Sequence, residues 1–166
     1  MVFRRAGPTF ILSMLIFGAA GAECGIAKPP VVQRGKVQME QVAEGSFKVK
    51  LAPISAVDAA VGAMSIDKVF TGALAAKSVG QMLAVGTGVE GSAGYVAMER
   101  VTGTLNGHPG SFALQHSGTM RRGEPSLTVT VVPDSGTGRL TGLSGTMEIV
   151  VEGGKHEYRF RYSLAN

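Results

Sequence analysis

His116 is the residue of this 166-residue chain that packing alone explains least well. It sits in a run where Phe112, Leu114, His116 and Met120 fall at even spacing, so all four share one face of a strand. An imidazole on an otherwise apolar, inward face is either a proton-transfer group or a histidine whose hydrogen bonds are met in the core. In the preceding run Tyr95, Ala97, Glu99, Gly103 and Leu105 share parity, so if Leu105 faces the core, Glu99 and Tyr95 do too. Burial raises a carboxylate's pKa and lowers a histidine's, while a facing pair opposes both shifts. On this basis Glu99 and His116 are candidates for an acid/base couple, with Tyr95 donating a hydrogen bond to developing charge. The plainer alternative is that Glu99 and His116 only satisfy each other's buried hydrogen bonds. Phe112, Leu114 and Met120, joined by Tyr158 and Tyr162 from the last strand, are the expected lining of a ligand site.

Other motifs carry less. Gly86-Thr-Gly-Val-Glu-Gly91 has the spacing of a dinucleotide-binding turn, but such a turn must open a helix in a βαβ unit, and Ser92-Ala-Gly-Tyr-Val96 continues with β formers. Asp134-Ser-Gly-Thr137 resembles an aspartic-protease loop. That chemistry needs two carboxylates sharing a proton, and Pro133-Asp134-Ser135-Gly136 is also an ordinary β-turn sequence. His108, His116 and His156 lack the spacing of metal ligands, and no nucleophile elbow or phosphate loop occurs, so neither a metal nor a cofactor is expected.

The elements that must position these residues are strands. With 24 glycines, no tryptophan and 17% charged residues, the composition is that of short β-branched runs punctuated by glycine. From Gly45, Phe47, Val49 and Leu51 alternate with Lys48 and Lys50. Met64–Thr87 reads as one or two bent strands. Tyr95–Leu105 leads through the hairpin signal Asn106-Gly107 to Ser111–Met120, then a turn at Arg121–Pro125, Leu127–Val132, Leu143–Glu152 and His156–Leu164. The pattern Gly-x-Leu/Met recurs at Gly72, Gly80, Gly103, Gly118 and Gly145. It sets a glycine beside a large apolar side chain on the inner wall, where a strand must coil tightly. The expected fold is all-β, a single small antiparallel barrel of about eight strands.

Arg4-Arg5, the apolar run Phe10–Phe17 and Ala20-Gly21-Ala22 form a secretory signal peptide over residues 1–22, cut before Glu23. The apolar run is short for a bilayer span, which takes about 20 residues, so export to the periplasm or medium without stable membrane insertion is expected. Residues 23–38, with Pro29-Pro30, read as a flexible linker, and 39–166 as the barrel domain. Cys24 is an unpaired thiol in that linker. Of the net charge of +4, Arg4 and Arg5 supply two, which leaves no basic footprint for nucleic acid.

Four segments together carry a resemblance: Gly91–Glu99, Gly110–Met120, Val131–Gly138 and Leu143–Met147. They are similar to the bacterial domain of unknown function 3224 (DUF3224) over about Met39 to Leu164. The resemblance implies a small barrel similar in fold to the allene oxide cyclases, which hold an apolar, reactive substrate and steer its ring closure without a cofactor. Ala73 and Gln81 stand where that family commonly has acidic residues, and most relatives look cytosolic. The first expectation is therefore a non-catalytic, exported barrel that binds a small apolar molecule in its lumen. The alternatives are a cofactor-free isomerase or cyclase using His116, Glu99 and Tyr95, and a structural or interaction scaffold, with homo-oligomers left open.

Overall fold

The computed structural model describes residues 39–165 other than 56, 57 and 59. The segments read as a signal peptide with its cleavage site and as a linker, with Cys24, lie outside the described residues. The rest forms eight strands: β1 (Gln41–Pro53), β2 (Gly62–Gly72), β3 (Leu74–Gly86), β4 (Ala93–Leu105), β5 (His108–Arg121), β6 (Glu124–Val131), β7 (Ser144–Glu152) and β8 (Lys155–Ser163), with a 3-10 turn at Gly138–Leu140. Each pairs antiparallel with the next and β8 returns to β1, closing the barrel. The stretch read as one or two bent strands is two, β2 and β3, broken at Gly72, whose φ of 101° only glycine adopts easily. Asn106 and Gly107 join β4 to β5 with φ of 46° and 78°, the paired positive values of the hairpin turn their sequence signals.

The two ends of the barrel differ. Where β2 meets β3 and β4 meets β5, the inward positions Leu74, Leu105, Phe112, Phe160 and Tyr162 are fully buried. Phe160 stacks between Phe112 at 5.8 Å and Tyr162 at 5.3 Å. The β6–β7 connection drops Leu140 and Leu143 onto this end and seals it. At the other end, inward positions are covered less well: Leu51, Met120, Leu127 and Val151 stay exposed, and Met64, Met82, Tyr95 and Ile149 are half-buried.

The Asp134-Ser-Gly-Thr137 segment is part of the seal. β6 stops at Val131 while β5 runs back to His108, so the first part of β5 has lost its neighbour. Ser135 Oγ accepts the Ala113 N–H at 3.0 Å and donates to the Val132 carbonyl at 2.6 Å. Thr137 Oγ1 accepts the Ser111 N–H at 3.0 Å, and the Thr137 N–H donates to the Ser111 carbonyl at 2.8 Å. The segment substitutes for the missing ladder, so buried amides of β5 keep their partners. Of the Gly86–Gly91 motif, Gly86 ends β3 and the rest lies in the loop to β4.

Candidate functional site

Midway along the barrel, four polar side chains from four consecutive strands converge inside the apolar wall. Lys68 lies on β2 between Ile66 and Phe70, and Ser78 on β3 beyond Leu74 and Ala76. Glu99 lies on β4 between Ala97 and Val101, and His116 on β5 beyond Phe112 and Leu114. Each shares its strand's inward parity. Lys68 pairs with Ser78, Gly80 with Glu99 and Ala97 with His116. The four therefore step diagonally across the wall, as strand tilt in a barrel requires. Gly80 makes the convergence possible: a Cβ there would stand 3.0 Å from Glu99 Cγ and 2.2 Å from the Met98 carbonyl oxygen.

Lys68 Nζ donates to Glu99 Oε1 at 2.5 Å and Ser78 Oγ donates to Oε2 at 2.5 Å. His116 Nε2 is 2.7 Å from Oε1, a close electrostatic contact without the alignment of a hydrogen bond, and Nε2 has no other partner. Lys68 is 7% exposed, Glu99 2% and His116 3%. Burial alone would push the Glu99 pKa up. The close His116 Nε2, the Lys68 charge and the hydrogen bonds from Lys68 and Ser78 together outweigh burial and hold it at about 2. That lowered pKa keeps Glu99 an anion at neutral pH. A bare imidazole lone pair 2.7 Å from this oxygen would be repelled, which assigns the proton of a neutral His116 to Nε2. Nδ1 then carries the lone pair and makes no hydrogen bond to a described residue.

Tyr95 packs its ring over Gly118, where a Cβ would come within 2.2 Å of it. Burial, and then the Glu99 charge, raise its pKa, so the phenol keeps its proton. The structure therefore brings Glu99, His116 and Tyr95 to one region and adds Lys68 and Ser78. The expected ligand-lining residues separate from them. Phe112 and Tyr162 belong to the packed stack, and Leu114 is buried in the same core. The Tyr162 hydroxyl donates to Gln41 Oε1 at 2.8 Å and accepts from Asn106 Nδ2 at 2.9 Å. The Tyr158 hydroxyl accepts the Leu74 N–H at 2.8 Å and donates to the Thr71 carbonyl at 3.2 Å. Met120 departs from the inward expectation: its parity is right, but it falls at the end of β5 opposite Ala93 and Pro125 and is exposed.

β1 pairs with β8 only as far as Phe47 and His156, beyond which the two strands part. A cleft of about 860 Å³ lies against this seam, lined by Phe47, Val49 and His156 together with outward-facing Ser46, Lys48 and Glu157, and none of Lys68, Ser78, Glu99 and His116 lines it. Phe47 and His156 touch at 5.0 Å between ring centroids, and Lys68 Nζ lies 4.9 Å from the Phe47 centroid, within cation–π range. One aromatic ring thus stands between the cleft and the buried ammonium. On the outside of the wall, Val79, Leu83, Val85, Val96 and Met98 form an exposed apolar stripe across β3 and β4. Among the described residues, no three His, Cys, Asp or Glu side chains converge as a metal set.

Comparison with known proteins agrees with this architecture. Comparison with curated proteins found no match. A crystal structure of a protein of unknown function from the DUF3224 family of Shewanella oneidensis MR-1 is 47% identical. It covers 77% of this chain and 99% of its own, with a TM-score of 0.74. Residues 43–162, which hold all eight strands' paired cores and every member of the polar cluster, match the DUF3224 protein family of unknown function, and the chain belongs to that family.

Proposed function

We propose that this protein is a small-molecule carrier or sensor whose barrel takes a small, largely apolar ligand at its less-covered end. One observation carries the reading. The inner wall divides into a sealed, side-chain-filled half and a half whose inward apolar residues stay accessible above a buried charged cluster. Burying an ammonium and a carboxylate costs several kcal/mol per ion before pairing, an arrangement that stability alone does not favour. A few convergent polar groups beneath apolar walls is how ligand sites are built. Export, read from residues 1–22, would place that ligand outside the cytoplasm.

A single experiment tests both points. The protein is recovered from its native exported fraction and examined by native mass spectrometry. A chain beginning at Glu23 with a co-purifying organic adduct is expected. The adduct should be lost on substituting Ile149→Lys, which sets a charge among the half-buried inward residues. A ligand-free protein that also fails to take up apolar compounds in a thermal-shift panel would end the binding reading, and an intact N-terminus would end the export reading.

A second reading, a cofactor-free isomerase, is favoured by the His116 tautomer. With Nε2–H held against Glu99, Nδ1 is a general base free to meet a ligand C–H. Glu99 would be the positioning residue and Lys68 would stabilise charge developing on oxygen. The readings part on one outcome: a bound ligand returned unchanged from D₂O supports the carrier, and one returned with deuterium supports the isomerase.

A further inference from the structure

We infer that the polar end of the site recognises a neutral oxygen acceptor, so that the ligand is an apolar molecule carrying a ketone, ester or similar carbonyl. This rests on the ligand-binding reading above and adds the chemistry of the ligand's head. The argument starts at Lys68 Nζ, which has three N–H donors. One goes to Glu99 Oε1 at 2.5 Å, and the charge faces the Phe47 ring at 4.9 Å. No other described residue accepts a hydrogen bond from Nζ. A donor this deeply buried is normally paired more fully, and the Phe47 ring beside Nζ shares an inward face that runs through half-buried Val49 to exposed Leu51 at the less-covered end.

Charge then selects the kind of acceptor. Lys68 and Glu99 cancel. Ser78 is committed to Glu99 Oε2, and the Tyr95 phenol is un-ionised. The nearly closed cluster therefore has no uncompensated positive charge for an anion to meet. A carboxylate would bring a second negative charge beside Glu99, where solvent screens poorly. A carbonyl oxygen adds no net charge and needs one or two donors, which Lys68 has to spare. The remaining wall, with Phe47, Val49, Leu51, Leu127 and Ile149 turned inward, suits a hydrocarbon body.

Three probes of equal chain length separate the outcomes: nonan-2-one, nonanoate and nonane, each titrated into the full chain and followed by ¹⁵N-resolved NMR. Nonan-2-one is expected to bind about tenfold more tightly than nonane, the effect of one hydrogen bond to a charged donor. The Lys68→Met single substitution leaves Glu99 without its cation and can fail to fold. The test variant is therefore Lys68→Met with Glu99→Met, which removes both charges together and adds no N–H donor. It should bind nonan-2-one no better than nonane. Equal binding of ketone and alkane by the natural protein, or a ketone preference that survives in the double variant, overturns the carbonyl inference and leaves the apolar site standing. Tighter binding of nonanoate than of nonan-2-one overturns it in favour of an anionic ligand. Failure of all three to bind overturns the ligand-binding reading itself.

Discussion

Glu99 keeps its charge in a place that should take it away. Its folded pKa of about 2 lies below the ordinary value of 4.5 because the close His116 ring, the Lys68 ammonium and the Ser78 hydroxyl outweigh its desolvation. A carboxyl group whose pKa falls on folding contributes stability that is complete above its unfolded pKa and is lost as pH drops toward the folded one. For Glu99 that window runs from about 5 down to about 2, and the loss is on the order of 3 kcal/mol. Urea unfolding midpoints at successive pH values between 7 and 2.5 should fall through this window, and more shallowly in Glu99→Gln. An equal pH slope in the two proteins would mean that Glu99 is not held as described. The pairing of Glu99 with His116 was legible in the sequence, since parity alone put both indoors. Lys68 and Ser78 obey the same parity, with Ile66 and Phe70 or with Leu74 and Ala76, yet lysine is so rarely buried that its position reads as solvent. Burial and the facing His116 were expected to oppose each other at Glu99, and the unforeseen Lys68 and Ser78 join His116 in lowering its pKa.

Strands and turns were more readable than the site because their signals are local. Alternation, Asn106-Gly107 and the recurrent glycines each specify geometry within a few residues, whereas the fate of Met120 depends on where β5 outruns the covered wall. The role of Asp134-Ser-Gly-Thr137 as a latch on β5 was equally hidden, since it depends on β6 stopping short. The glycine repeat itself needs a finer explanation than coiling. At Gly80 a methyl group would stand 2.2 Å from the Met98 carbonyl oxygen and 2.9 Å from Glu99 Cα, so the β4 backbone, not a movable side chain, would have to yield. Gly80→Ala is therefore expected to destabilise the barrel by about 1–3 kcal/mol, the range for overpacking. Gly86→Ala on the same strand meets nothing within 4 Å and should unfold at essentially the natural denaturant concentration. If the two alanine variants proved equally stable, Gly80 would not be what makes room for the cluster.

Closure sets the behaviour of the molecule as a whole, and the eight seams are unequal. β4 and β5 pair along their full lengths from Ala93 with Met120 to Leu105 with His108, while β6 and β7 pair at Thr130 and Thr146 alone. The β1–β8 seam joins residues as far apart as Gln41 and Tyr162, a contact that forms only after a large loop closes. It is nevertheless reinforced by the Tyr162 hydroxyl on Gln41 and by the buried Phe160–Tyr162 stack. The β6–β7 seam has no such reinforcement above Thr130, where Leu127 and Ile149 flank it without a ladder between them. Local opening follows the weakest pairing. Residue-resolved amide exchange should therefore find β3, β4 and β5 slowest. In β6 and β7 it should find alternation, with amides turned to β5 or β8 protected and those turned to the shared seam exchanging fast except beside Thr130 and Thr146. Uniform slow exchange through both strands would mean a complete ladder and a barrel rigid all round. Fast exchange at this seam would instead give the half-covered lumen a side that can part, next to the apolar residues on which ligand entry would depend.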